Sequence, residues 1–259
     1  MMTLTPLVVG HLSVDTRTFY PKAPEHTAIE APVLMWVLRD GDRTLVFDTG
    51  GSDVAHAHRM GHGHYQRTRQ EEPLEKLTAI GVRPQDVNTV VLSHLHWDHA
   101  SNWQLFERAT VWVGARDISY AAHPDSGHEV YFDFRGGPAS YWDPDRFHAV
   151  DGERALSQDG AVRIVPLPGH TPGSQGLLVA SAVGTVLLPG DAVPLLHNLA
   201  DTPPTPNGIA VDSVALQRTL NNLAPEWTVF PSHDPSLEPF DQENILSSAC
   251  WKDGAFQWR

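Results

Sequence analysis

The run Thr89-Val-Val-Leu-Ser-His-Leu-His-Trp-Asp-His99 joins a β-branched stretch directly to four potential metal ligands. In an extended chain alternate side chains share a side, so His94 and His96 point the same way and can chelate one ion through their imidazole nitrogens. Asp98 and His99 come after the chain starts to turn, face a neighbouring position and suit a second ion. Any one of these histidines alone could be a surface or hydrogen-bonded core residue; four ligands at this spacing point to a metal centre. Histidine is abundant, with 15 copies, whereas the single cysteine, Cys250, can form neither an intramolecular disulfide nor by itself a thiolate site.

Ligands of this kind need a rigid frame. Short β-branched runs bounded by Gly, Pro or Asp predict strands at Val33 to Leu38, Thr44 to Phe47, Thr89 to Leu92, Thr110 to Val113, Val162 to Val165, Leu177 to Val179, Thr185 to Leu188 and Thr228 to Phe230. Two helices are readable. The first has Pro73 in its first turn, Leu74, Leu77 and Ile80 on one stripe, and Gly81 as its stop; the second starts from Asp212 as N-cap and carries Leu216, Leu220 and Leu223. Strands before and after these helices predict an α/β or α+β chain of layered sheets and helices. Gly51 to Arg69, Pro124 to Pro144 and Leu195 to Gly208 are long and irregular, which in a compact domain points to function or mobility.

With 259 residues, 41% hydrophobic, and no visible linker, repeat or low-complexity segment, the chain is expected to form one domain over 1–259. Eighteen basic against 31 acidic residues give a net charge of -13, which repels phosphate backbones and anionic lipids. Nucleic acid and membrane are therefore set aside as partners, whereas a small-molecule substrate is compatible with that charge. Met1 to Val14 has no basic region and only a short apolar run at Leu7 to Val9, so neither signal nor membrane span is expected, and the location is expected to be cytoplasmic. At the C-terminus, Trp251, Phe256 and Trp258 are expected to pack on the body, with a homodimer contact as the alternative.

His94-Leu-His96-Trp-Asp98-His99 resembles the HxHxDH signature of the metallo-β-lactamase superfamily, and further motifs follow in that superfamily's order. Pro168-Gly-His170-Thr-Pro-Gly173 is similar to the loop giving the third histidine of the first metal site, and Leu188-Pro-Gly-Asp191 to the strand end whose aspartate bridges both metals. Pro231-Ser-His233-Asp234 resembles the motif of the last histidine. Phe47-Asp48-Thr49-Gly50 resembles the strand end whose aspartate orients a ligand histidine. The resemblance implies an αββα sandwich with the metals at one edge of the two sheets. It also implies the ligand set His94, His96 and His170 for one ion, Asp98, His99 and His233 for the other, and Asp191 for both.

Five imidazoles with two carboxylates suit two zinc ions, with iron, cobalt or manganese as substitutes set by availability. Such a pair lowers the pKa of a shared water towards about 7 and polarises a carbonyl, so the expected chemistry is hydrolysis by a bridging hydroxide. Asp98 is expected to hold or shuttle the proton as the leaving group departs, which with Asp191 makes it the catalytic pair. The cysteine-liganded β-lactamases need a cysteine where Asp191 stands, and the diiron redox members usually have a glutamate where His96 stands.

The layout is similar to that of the N-acyl homoserine lactonases and related small lactonases, which implies opening of a lactone or similar activated ester. A thioesterase or β-lactam hydrolase of the same fold, and a non-catalytic metal-bound binding module, are the alternatives. In many of those lactonases a tyrosine three residues after the bridging aspartate contacts the substrate; here that position is Pro194, and His197, Tyr131 or Tyr141 are candidates to replace it. The stretch His56-Ala-His58-Arg-Met-Gly-His62-Gly-His64 is read as a loop covering the site's mouth rather than a third metal site, because flexible histidines lack a preorganising support. Tyr131, Phe132, Phe134, Tyr141 and Trp142 are read either as an apolar pocket wall or as an ordinary flap. Trp97 is expected to pack beneath the site, and Trp103 and Trp112 in the core.

Overall fold

The computed structural model describes residues 2–132 and 143–259, so Phe134, Tyr141 and Trp142 lie outside the described residues. Strands β1 (Thr3–Asp15), β2 (Ala28–Asp40), β3 (Arg43–Phe47), β4 (Tyr65–Gln66), β5 (Thr89–Val91), β6 (Thr110–Gly114) and β7 (Phe147–Val150) form one sheet in the order β4-β1-β2-β3-β5-β6-β7. A second sheet, in the order β12-β11-β10-β9-β8, comprises β8 (Arg154–Ala155), β9 (Val162–Pro166), β10 (Gln175–Ser181), β11 (Gly184–Leu188) and β12 (Thr228–Val229). The helices are α1 (Val54–Arg59), α2 (Pro73–Ala79), α3 (Trp97–Ala100), α4 (Ala115–Ala122), α5 (His197–Ala200) and α6 (Ser213–Asn221).

Side-chain alternation sorts the apolar residues into three cores between four layers. Along β2, Val33, Met35 and Val37 face a core shared with Ala57, Leu77, Trp97 and Ala121 of the helices on that side. Leu34, Trp36 and Leu38 face the opposite way, where they meet Leu177 and Val179 of β10 and Val186 and Leu188 of β11. Leu178 and Leu187 turn to the outer face of the second sheet, against Leu216 and Leu220 of α6. Because both faces of the central strands are covered, these strands read in the sequence as continuous apolar runs. The result is the αββα sandwich.

Parallel pairing of β3, β5, β6 and β7, and of β11 with β12, aligns the carboxyl ends of those strands along one edge. Loops leaving the carboxyl ends of parallel strands are where α/β sheets place their ligands. Asp48 follows β3, His94 to His99 follow β5, Asp191 follows β11 and His233 follows β12.

Several features differ from the sequence reading. β1 is thirteen residues long although only Leu7 to Val9 is an apolar run, because Pro6 and Gly10 interrupt its pattern. Pro6 lies outside the short pairing with β4, where β1 is an edge strand, and the register shifts between Val8 and His11. Gly10 sits at φ +145, where an added Cβ would come within 2.6 Å of the Tyr65 ring. Leu74 is 50% exposed, off the buried stripe of α2, and Trp112 is half-buried under the Arg154 guanidinium. The irregular stretches contain α1, β4 and α5. At the C-terminus, β13 (Trp251–Lys252) and β14 (Ala255–Phe256) form a hairpin that places Phe256 4.7 Å from Phe230, so the tail packs on the body. Among the described residues no helix is long and apolar enough to cross a membrane.

Gly10→Ala is expected to cost about 1–3 kcal/mol in urea unfolding, from overpacking against Tyr65 and a φ that alanine disfavours. Wild-type stability in that variant would show that Tyr65 moves aside freely.

Candidate metal centre

β5 ends at this edge of the sandwich, and the chain then passes through His94 and His96 into the single turn of α3, which carries Asp98 and His99. The loop is anchored to the second sheet: Gln175 N donates to Ser93 O at 2.9 Å and Gln175 Nε2 to Leu92 O at 2.9 Å. Gly190, at φ +53, lies so close that a Cβ would stand 2.5 Å from Ser93 Cβ, so a residue without a side chain brings Asp191 up to the histidines.

All seven sequence-predicted ligands converge and all are buried, none more than 8% exposed. His170 Nε2 lies 3.2 Å from His94 Nε2 and 3.1 Å from His96 Nδ1. His99 Nε2 and His233 Nε2 are 3.3 Å apart, and each is 3.7 Å from Asp98 Oδ2. Asp191 stands between the two sets. Its Oδ1 is 3.2 Å from both His99 Nε2 and His233 Nε2, while its Oδ2 is 3.4 Å from His170 Nε2. Three groups of donors are close enough to share an ion: His94, His96 and His170; Asp98, His99 and His233; and His94, His99 and Asp191. Imidazole lone pairs this close, with carboxylates beside them and no sulfur, fit borderline divalent cations such as zinc.

Burial, followed by the neighbouring histidines, holds His94 and His96 well below the ordinary imidazole range, leaving both rings neutral and able to ligate. Burial also lowers His170. At His99 burial acts in the same direction, but the carboxylates of Asp191, Asp98 and Asp48 outweigh it and raise the ring well above its ordinary value. Burial would raise Asp191, yet His99, His233 and His170 bring it well below the carboxylate range.

The metallo-beta-lactamase superfamily model matches residues 29–233. The chain belongs to that superfamily. The N-acyl homoserine lactonase AttM of Azorhizobium caulinodans is 30% identical over 230 residues, covering 81% of this chain and 84% of that protein. The N-acyl homoserine lactonase of Bacillus cereus is 24% identical over 204 residues, covering 75% and 77%. A solved structure of an N-acyl homoserine lactone hydrolase with the product N-hexanoyl-L-homoserine bound at its catalytic metal centre shares the fold, with a TM-score of 0.75 at 19% identity over 99% of this chain and 98% of that one.

Within this metallo-β-lactamase fold, supporting side chains fix the ring orientations. Asp48 Oδ2 lies 2.8 Å from His99 Nδ1 and accepts from Ser93 Oγ, while Asp48 Oδ1 accepts from Ser93 N at 2.6 Å. Ser93 Oγ also meets His94 Nδ1 at 2.9 Å, the Pro32 carbonyl meets His233 Nδ1 at 2.9 Å, and Ser232 Oγ donates to Asp191 Oδ1 at 2.7 Å. Phe19 stacks on the His233 ring at 4.9 Å. Ser93, Ser232 and Pro32 escaped the sequence reading because their types carry no metal signal. Asp117 escaped it too. Fully buried in α4, it accepts from Leu95 N at 2.6 Å, between His94 and His96, and faces Thr171 beside His170.

A cavity of ≈ 200 Å³ opens over Asp98 and Asp191, walled by Leu12, Val14, Phe19 and Ile209 and edged by His62 and His64. The histidine loop thus borders the site, and among the described residues every group able to hold a metal belongs to the centre itself. Trp97 is buried as expected but also lines this cavity and stacks on His62 at 4.2 Å. Of the candidates for the Pro194 position, Tyr131 lines the cavity with its ring 5.1 Å from His96, whereas His197 lies against Tyr20. Tyr141 falls outside the described residues.

Two outcomes are expected. Asp48→Asn, which weakens the support of His99, should lower affinity for one divalent ion by about 10–100-fold in chelator competition, and unchanged affinity would contradict the orienting role. Burial raises Asp117 from the ordinary 3.8 to about 6, so the folded chain binds that proton more tightly than the unfolded one. Its contribution to stability is complete below the ordinary value and is lost as pH rises through about 6. Relative to Asp117→Asn, the wild type should lose about 1–3 kcal/mol in urea unfolding between about pH 4 and pH 7. Parallel pH curves for the two proteins would contradict this.

Proposed function

We propose that the chain acts as one domain over 1–259, a cytoplasmic dizinc hydrolase that opens a lactone. His94, His96 and His170 would hold one zinc ion and Asp98, His99 and His233 the other, with Asp191 bridging them. The observation that carries this reading is Asp191, whose two oxygens face the two donor sets beside a cavity.

When bound, the ions supply an activated water at neutral pH and polarise the carbonyl under attack. The remaining work falls to the chain. Leu12, Val14, Phe19 and Ile209 exclude water around the ester, and the cavity admits the ring over Asp98. Asp98, not more than 8% exposed, is placed to take a proton from the attacking water and return it to the ring oxygen as the carbon–oxygen bond breaks. One lactone and one water thereby become one hydroxy acid.

Two observations favour a lactone over the thioester and β-lactam alternatives. The relative with 30% identity over most of both chains is named an N-acyl homoserine lactonase. No lysine or arginine lines the cavity among the described residues, whereas glutathione, coenzyme A and β-lactam carboxylates are anions that such residues would be expected to grip.

The zinc-loaded protein, assayed on lactones, thioesters and β-lactams, is expected to turn over uncharged lactones fastest. Asp191→Ala should lose more than about 100-fold of that activity, beyond the loss typical of an outer supporting residue. A fully active Asp191→Ala variant would remove the bridging assignment, and metal binding without turnover of any compound would favour a binding module.

A further inference from the structure

The segment from Leu195 to Gly208 carries no metal motif, yet it reaches into the centre. Asn207 is 4% exposed, and its Nδ2 donates to the Asp191 carbonyl at 2.6 Å. That bond fixes the orientation of the amide, so Oδ1 is the atom turned to His170 Nδ1, at 3.3 Å. An oxygen there requires His170 to donate from Nδ1, which leaves the Nε2 lone pair facing His94, His96 and Asp191. The same segment holds a second buried amide with a different task. Asn198 accepts from Leu195 N and donates to the Phe19 and Thr205 carbonyls, touching none of the proposed ligands.

We infer that Asn207 is a positioning residue that sets the tautomer of His170 and holds it in register with Asp191, so that one amide governs the histidine that links the first donor set to the shared carboxylate. Only an amide satisfies both contacts. An aspartate accepts from His170 but turns an oxygen on the Asp191 carbonyl, and a leucine of similar shape makes neither bond. The inference rests on the ligand assignment proposed above.

The test compares the full chain with Asn207→Asp, Asn207→Leu and Asn198→Ala. Zinc affinity is read by chelator competition, the ligand field by the visible spectrum of the cobalt-loaded protein, and folding by the melting of the metal-free form. Both Asn207 variants are expected to weaken one of the two zinc equivalents by about 10–100-fold and to shift the cobalt bands, while Asn198→Ala, which breaks contacts to backbone groups only, causes a markedly smaller change in both. Wild-type affinity and bands in either Asn207 variant would overturn the inference, as would an equal loss in Asn198→Ala, which would trace the effect to the segment as a whole. Two zinc ions in the wild type and unaltered binding in the variants refute the inference alone; fewer than two in the wild type refute the ligand assignment and this inference with it.

Discussion

Everything in this molecule depends on bringing imidazole nitrogens and carboxylate oxygens together in a buried space at the foot of a cavity. His170 stands within 3.4 Å of His94, His96 and Asp191, and His99 within 3.3 Å of His233 and Asp191. Burial leaves little room for water to relieve the repulsion between such lone pairs, and it penalises each protonated ring. The arrangement is coherent only if the backbone holds the donors in place and positive charge is shared among them. Asp191 serves both sides because its two oxygens face different donor sets.

The sandwich meets that demand by geometry. Parallel strands place the loops after β3, β5, β11 and β12 at one edge, so residues far apart in the chain arrive together. Rigid links then fix the loops. Gln175 joins the two sheets at Leu92 and Ser93, Gly190 allows the close approach of Asp191, and Asp117 ties α4 to the loop between His94 and His96. On the substrate side, Phe19 stacks on His233 and also walls the cavity, so the tip following β1 shapes both the metal environment and the pocket.

The central strands and the proposed ligands were legible in the sequence because each has a local signature. Apolar runs mark strands buried on both faces, and HxHxDH marks ligands at fixed spacing. β1 was not legible, since Pro6 and Gly10 interrupt its pattern where an edge strand tolerates a proline and a bulge needs a glycine. Helix α4 was missed because its eight residues carry a short, mixed stripe. The supporting residues were illegible for another reason. Ser93, Asp117 and Asn207 act through contacts with distant residues, and nothing local distinguishes them from ordinary polar positions. Which candidate could stand in for a tyrosine at the Pro194 position depends equally on tertiary placement: of Tyr131 and His197, only Tyr131 lines the cavity.

The most direct test of the paired centre is anomalous scattering at the zinc edge from crystals of the zinc-loaded protein. Two peaks are expected, about 3.5–4 Å apart, one among His94, His96 and His170 and one among Asp98, His99 and His233, with the Asp191 carboxylate between them. A single peak, or peaks away from these side chains, would contradict the account.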